Sequence, residues 1–231
     1  MTSTYTSRMF YTLLADAVEF TLLAQDETSP HRRAAARAAV LTCAAVLECA
    51  ANICLHDANL DQDQKRTPVE KLVLYAKQKW HKTVSVENNP TTNVNELRQC
   101  RNVLIHRKST VSDLLPIKGS NEYEYHPTTT PLLRISADPE LWSGGEAWSS
   151  LQATLQFLNH FFNIELGFKP QQFGELMAVQ ISIGGGPGRM INSAIGPALA
   201  SLATKGLNVA FLEASVVEAV TPPVLGSQQA P

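Results

Sequence analysis

Residues 31–55 read HRRAAARAAVLTCAAVLECAANICL, and the fold turns on whether this stretch belongs in a bilayer or in a protein core. Its second part, residues 38–55, is the most apolar window of the chain, yet Glu48 sits near its middle and alanine and cysteine dominate it. A carboxylate at mid-depth in a membrane is costly. The window therefore predicts a buried helix, not a span. Ser29-Pro30 just ahead supplies an N-cap and a proline suited to the first helical position.

Helical spacing continues on both sides. Residues 7–25 carry Phe10, Leu13, Leu14, Ala17, Val18 and Leu22 at helical intervals. Thr67-Pro68-Val69-Glu70 is a capping box with proline at N1, opening EKLVLYAKQKW. NNPTTN (88–93) reads as a loop, and Asn93-Val94-Asn95-Glu96 as the cap of a further helix that ends before Pro116. Residues 109–145 look irregular, with EYEYH (122–126) as one strand of a hairpin. A last long helix, about 146–166, sets Leu151, Leu155, Leu158 and Phe162 on one face, with Phe157 and Phe161 beside it. Five helices with short loops predict an all-α antiparallel bundle over residues 1–167. Its expected core includes Val46, Leu47, Leu72, Leu97, Leu104, Leu155 and Phe162.

Residues 168–231 change character and form a C-terminal extension, packed or mobile. Within it, AVQISIGGGPGRMINSAIGPALASLATKGLNVAFLEAS (178–215) reads as strand, glycine turn, helix, strand. It resembles the first βαβ unit of a dinucleotide-binding Rossmann fold, with Glu213 where an acidic ribose ligand would sit. Arg189 replaces the third glycine of that motif, the turn-to-strand spacing is long, and about 20 residues follow. A packed or mobile extension is therefore expected ahead of a nucleotide site.

The 231 residues are 44% hydrophobic and 17% charged, with a formal net charge of −2. That length suffices for a real core, and the charge gives no global basic field to draw in nucleic acid, so any such contact needs a local patch. The opening residues lack the basic and apolar regions of a secretion signal. The four cysteines, Cys43, Cys49, Cys54 and Cys100, form no C-x-x-C pair and read as small core residues in a reducing cytosol. No metal and no cofactor are expected.

One polar cluster interrupts the apolar helices. In ELRQCRNVLIHRKS (96–109), Arg101 and Asn102 are followed by three apolar residues and then His106. At about 100° per residue, Asn102 and His106 share a helix face, whereas Arg101 and His106 lie about 140° apart. They converge on one small anion only if the helix ends nearby or two subunits meet there. Arg98, Arg107 and Lys108 add local positive charge, which makes a phosphate cradle in a slightly acidic protein. RNA carries its own nucleophile, since a 2′-OH attacks the adjacent phosphate once a base removes its proton. A histidine serves as base or acid near neutral pH, and an arginine offers two donors to phosphoryl oxygens. The bland alternative is a helix end with solvated charges and a capping histidine. The remaining histidines, His31, His56, His81, His126 and His160, have no companion pattern and read as surface or satisfied core.

Arg101-Asn102-Val103-Leu104-Ile105-His106 resembles the R-x4-H signature of the HEPN superfamily, including the polar residue after the arginine. Upstream, RAAARAAVLTCAAVLECAAN resembles the long helix of a HEPN subgroup, where an alanine-rich run ends in E-x-x-x-N, here Glu48 and Asn52. PVEKLVLYAKQKW fits the next element, and the likeness spans roughly residues 8–166. The resemblance implies a helical bundle, often a homodimer with the signature paired across its axis. It implies a metal-independent endoribonuclease acting as a toxin or in phage defence, with an antitoxin or other protein partner. It equally allows a catalytically silent module that binds RNA, nucleotide or protein. By that implication Arg101 holds the phosphate, His106 transfers protons, and Asn102 orients the histidine or bonds the phosphate. Glu48 needs a partner if buried, with Arg101 the candidate; otherwise it lies at the helix edge in water.

Overall fold

The structure is a computed structural model, and it describes residues 4–6, 9–60, 65–106, 114–116, 123–125, 127–183, 186–190 and 194–220. Those residues are mostly helical. After a short strand β1 (Thr4–Thr6) come α1 (Phe10–Gln25), α2 (Arg32–Asp57), α3 (Pro68–Trp80) and α4 (Asn89–Ile105). A two-stranded antiparallel hairpin follows, β2 (Leu114–Pro116) with β3 (Tyr123–Tyr125), then α5 (Gly144–Leu158), which runs on as a π-helical stretch, Asn159–Glu165.

The apolar stretch is α2, the axis of a helical bundle. It packs against α1, α3, α4, α5 and a later helix, α6 (Pro170–Met177). Ala36, Ala39, Val40, Cys43, Leu47, Ala50 and Cys54 recur at three- and four-residue steps and are buried, and small side chains at these steps let neighbouring backbones approach. By length and composition α2 is also the one described helix able to cross a membrane: 26 residues, mean hydropathy 1.9 over its window. In the fold, 56% of that window is buried inside the protein. None of the four cysteines is in a disulfide; Cys43, Cys54 and Cys100 are buried, and Cys49 is half-buried. The N-terminus of α5 lies so close to the end of α1 that a Cβ on Gly144 would sit 2.9 Å from the Ala24 carbonyl oxygen. Only glycine fits that approach.

Two boundaries differ from the sequence reading. Helix α4 begins five residues early, because Asn88 is its N-cap, accepting from the Thr91 amide at 2.8 Å, and Pro90 occupies the first turn. NNPTTN is thus a helix start and not a loop. Helix α2 starts at Arg32 with His31 at its cap position, while Ser29 Oγ accepts from the His31 amide at 3.2 Å. Of the seven expected core residues six are buried, and Leu104 is half-buried against the core.

The C-terminal segment departs further. After α6 (Pro170–Met177), β4 (Val179–Ile183) pairs antiparallel with β5 (Gly186–Met190) on one side and with β1 on the other. Then come α7 (Ile195–Thr204) and α8 (Ala210–Val220). The described residues therefore contain no βαβ crossover: the stretch read as its second strand is α8. Phe211, Leu212 and Ser215 of α8 are buried at helical spacing, and Glu213 lies in that helix, half-buried. The segment is tied to the bundle by rings. Phe173 of α6 stacks edge-on with Phe162 at 4.8 Å and Phe10 at 5.5 Å, and meets Phe211 at 5.3 Å. One contiguous buried cluster runs from Phe10 to Leu212.

Candidate functional site

A cleft of about 1090 Å³ opens where α2, α3 and α4 meet. One wall is a stripe of α2, with Glu48, Asn52 and His56 four residues apart on a single face. The facing wall is a stripe of α4: Val94, Arg98, Arg101, Asn102 and Ile105, spaced by helical turns. Lys65, Arg66 and the first turn of α3, including Lys71, close one end, and Phe157 of α5 contributes apolar floor. Five of the expected site residues are thereby brought to one place: Glu48, Asn52, Arg98, Arg101 and Asn102.

The rotation of α4 that presents Arg98 and Arg101 is fixed from behind. Glu96 lies about 200° around the helix from Arg98 and is only 6% exposed. Its carboxylate accepts the amides of Leu132, at 3.1 Å to each oxygen, and Leu133, at 2.9 Å. Charge-assisted bonds to a carboxylate are among the stronger protein hydrogen bonds, so the loop after β3 is pinned to the back of α4. On the third side, Thr67 and Glu70 form the expected reciprocal capping box: Thr67 Oγ1 accepts from the Glu70 amide at 3.2 Å, and the Glu70 carboxylate accepts from the Thr67 amide at 2.7 Å. The Thr67 amide and the Thr67 hydroxyl, both bonded to the Glu70 carboxylate, hold it below its ordinary range, with smaller help from Arg98 and Arg66 nearby.

Charge in the cleft is lopsided. Among the described lining residues Lys65, Arg66, Lys71, Arg98 and Arg101 are cationic, and Glu48 is the one carboxylate. The chain as a whole carries −2. The local patch that nucleic-acid contact would require is therefore present at the predicted helix.

Individual partners differ from expectation. Glu48 is paired with Lys71 and not with Arg101. Lys71 Nζ donates to the Glu48 carboxylate and, at 2.9 Å, to Asn52 Oδ1. The Lys71 side chain is 3% exposed and that of Glu48 43%, so the lysine carries the burial and the glutamate sits half in the cleft. Arg101 instead donates from Nη1 to Asn102 Oδ1 at 3.0 Å. Arg98 Nε is buried and has no hydrogen-bond partner among the described residues. Sequence reasoning missed Lys71 altogether, and a lysine in an amphipathic helix offers no signal that it is buried.

His106 stands apart. Helix α4 ends at Ile105, and His106 is its C-cap, exposed, with its amide bonded to the Asn102 carbonyl at 2.9 Å. It does not line the cleft that Arg101 and Asn102 line. The divergence expected from helix geometry thus persists at the helix end. Arg107 and Lys108 lie outside the described residues, as does His126. His56, read as surface or satisfied core, is exposed at the cleft rim. His160 Nε2 lies 3.2 Å from Glu165 Oε1 in the π-helical stretch.

No family model matches this chain, and the searches of curated proteins and solved structures return no match. Cationic donors over an apolar floor bind an anion that also carries flat or apolar groups, and a phosphodiester with its bases has that composition.

Proposed function

We propose that the chain is a HEPN-type endoribonuclease that cleaves RNA by attack of the 2′-OH on the neighbouring phosphate, and that it works as a symmetric homodimer. The observation that carries the reading is the cleft's cation excess, five Lys and Arg side chains against Glu48, assembled around the R-x4-H stretch. Arg101 binds the phosphoryl oxygens and balances charge as the pentacoordinate state forms. Asn102 fixes the Arg101 guanidinium through the bond between them. His106 transfers the proton, and because it is not among the residues lining its own cleft, a second copy supplies it. A toxin or phage-defence role, with an antitoxin as partner, fits this activity.

A specific observation favours one other reading. Because His106 is outside the cleft of its own chain, the same cations can serve a silent module that binds RNA, nucleotide or a protein without cutting. Incubating the purified chain with single-stranded RNA and with DNA of the same sequence, in EDTA, separates the two. The nuclease reading expects RNA alone to be cut, with 2′,3′-cyclic phosphate ends, and His106→Ala to lower the rate by roughly a hundredfold or more. RNA bound tightly but left intact supports the silent module, and cleavage that survives His106→Ala removes the assigned chemistry.

A further inference from the structure

We propose that the cleft contains a second phosphate subsite between α3 and α4, formed by the Lys71 ammonium and the Arg98 guanidinium, so that the substrate is gripped at two phosphates. The identity of the ligand as RNA rests on the ribonuclease reading; the subsite itself rests on two unfilled donors.

An ammonium has three N–H donors. Lys71 uses two, toward Glu48 and Asn52, and its third has no acceptor among the described residues. With the side chain 3% exposed, bulk water is a poor substitute. Arg98 Nε is the second such donor, buried and without a partner among the described residues. Both residues line the same cleft. Buried donors in native folds are normally satisfied, and two cationic ones on residues that line one cavity call for a ligand that only accepts.

The surroundings select a phosphate of a chain. Arg98 precedes Arg101 by three residues, about 4.5 Å along α4, so two long guanidinium side chains emerge from one stripe a turn apart and can hold successive groups. A single carboxylate ligand would leave most of the positive lining uncompensated. The carboxylates that face the subsite are Glu48, which clamps Lys71, and Glu70, which acts on Arg98 at a distance while held in its capping box. Glu48 therefore positions the ammonium and leaves its third proton for the ligand.

The test uses the full-length chain in a His106→Ala background, so that RNA stays whole, and fluorescence anisotropy with a labelled five-residue oligouridylate from 50 to 300 mM KCl. Arg98→Gln is expected to weaken binding about tenfold and to make the salt slope shallower by about 0.7, the value for one contact to a single-strand phosphate. Lys71→Met is expected to do the same, and the double variant to lose no second unit of slope, because both side chains hold one phosphate. If Lys71→Met alters helical content, Arg98→Gln on the half-buried α4 stripe decides alone. Unchanged affinity and slope in Arg98→Gln, with cleavage still dependent on Arg101, overturns the subsite and leaves the ribonuclease reading standing. If the parent does not bind the oligouridylate but inorganic phosphate raises its melting temperature, and Arg98→Gln abolishes that rise, the subsite stands and the RNA reading falls.

Discussion

The Lys71 ammonium of α3 is clamped by the Glu48 carboxylate of α2, the lysine side chain 3% exposed and the glutamate 43%. The two ends of this ion pair are therefore unequal. Glu48→Ala leaves a buried cation with Asn52 as its remaining acceptor. Breaking a fully buried pair costs about 3–5 kcal/mol, and half-exposure of Glu48 reduces this to roughly 2 kcal/mol through solvent screening. Lys71→Met leaves a carboxylate that water can reach and fills the same space, so its cost is expected below about 1 kcal/mol. Urea denaturation of both variants checks the order. Equal losses, or a larger loss for Lys71→Met, would contradict the assignment of burial to the lysine.

The capping box of α3 makes a pH-dependent contribution. Glu70 titrates in the folded state below its ordinary 4.5, because the Thr67 amide and hydroxyl bond its carboxylate. A depressed carboxyl pKa stabilises above the unfolded value and ceases to do so as pH falls through the folded one. Glu70→Gln is thus expected to lower the urea midpoint at pH 7 and to converge with the parent only once pH has fallen through the depressed folded value. Thr67→Ala, which removes the hydroxyl acceptor for the Glu70 amide, should cost about 1 kcal/mol at pH 7. A constant offset from pH 3 to 7 for Glu70→Gln would show that its carboxylate is not the group at work.

How much of this was legible varies by residue. The Thr67-Pro68-Val69-Glu70 box was readable because its chemistry is local: donor and acceptor lie three residues apart. The α2 stripe was readable because a continuous apolar window at helical spacing has few other solutions. Asn88 as the cap of α4 was missed although the signal existed, an asparagine followed by proline in the first turn; a run of Asn, Pro and Thr resembles a loop by composition. Helix α8 was misread because LNVAFLEASVV is rich in β-branched and aromatic residues, and helix wins through burial of Phe211, Leu212 and Ser215 against the rest of the fold. Arg98, Arg101 and Asn102 could be gathered from one helix. Their union with Glu48, Asn52 and above all Lys71 is a product of three helices meeting, and no spacing in the chain encodes it.

Thiol chemistry offers a footprint of the cleft. Burial pushes the Cys43 and Cys100 thiols up to about 12 and raises that of Cys49 as well. Cys49 alone of the four lines the cleft. The thiolate is the reactive form, so at pH 8 the native chain should react slowly, at Cys49 first, and faster as pH rises. All four thiols should react once urea unfolds it. A non-cleavable RNA analogue bound in the cleft should slow the Cys49 reaction and leave total reactivity in urea unchanged. Mass spectrometry of the alkylated peptides reads both. Rapid labelling of Cys43 or Cys54 in the native state would contradict the closed face of α2.

The sharpest prediction follows from the helix geometry that separates Arg101 from His106. Arg101 lines its own cleft and His106, five residues on, does not. If each working site takes Arg101 from one subunit and His106 from the other, Arg101→Ala and His106→Ala homodimers are both inactive. Mixing them and allowing subunits to exchange creates heterodimers in which one site carries both defects and the other carries none. With equal amounts and random exchange, half the dimers are mixed and each has one intact site, so about a quarter of the parent RNase activity should return. A site built within a single chain gives no recovery, since every chain bears one lesion. The measurement is RNA cleavage by the two purified variants, apart and after mixing, with subunit exchange followed by size-exclusion chromatography of differently tagged chains. Exchange without recovered activity would place His106 and Arg101 in the same subunit's site, or remove His106 from the chemistry.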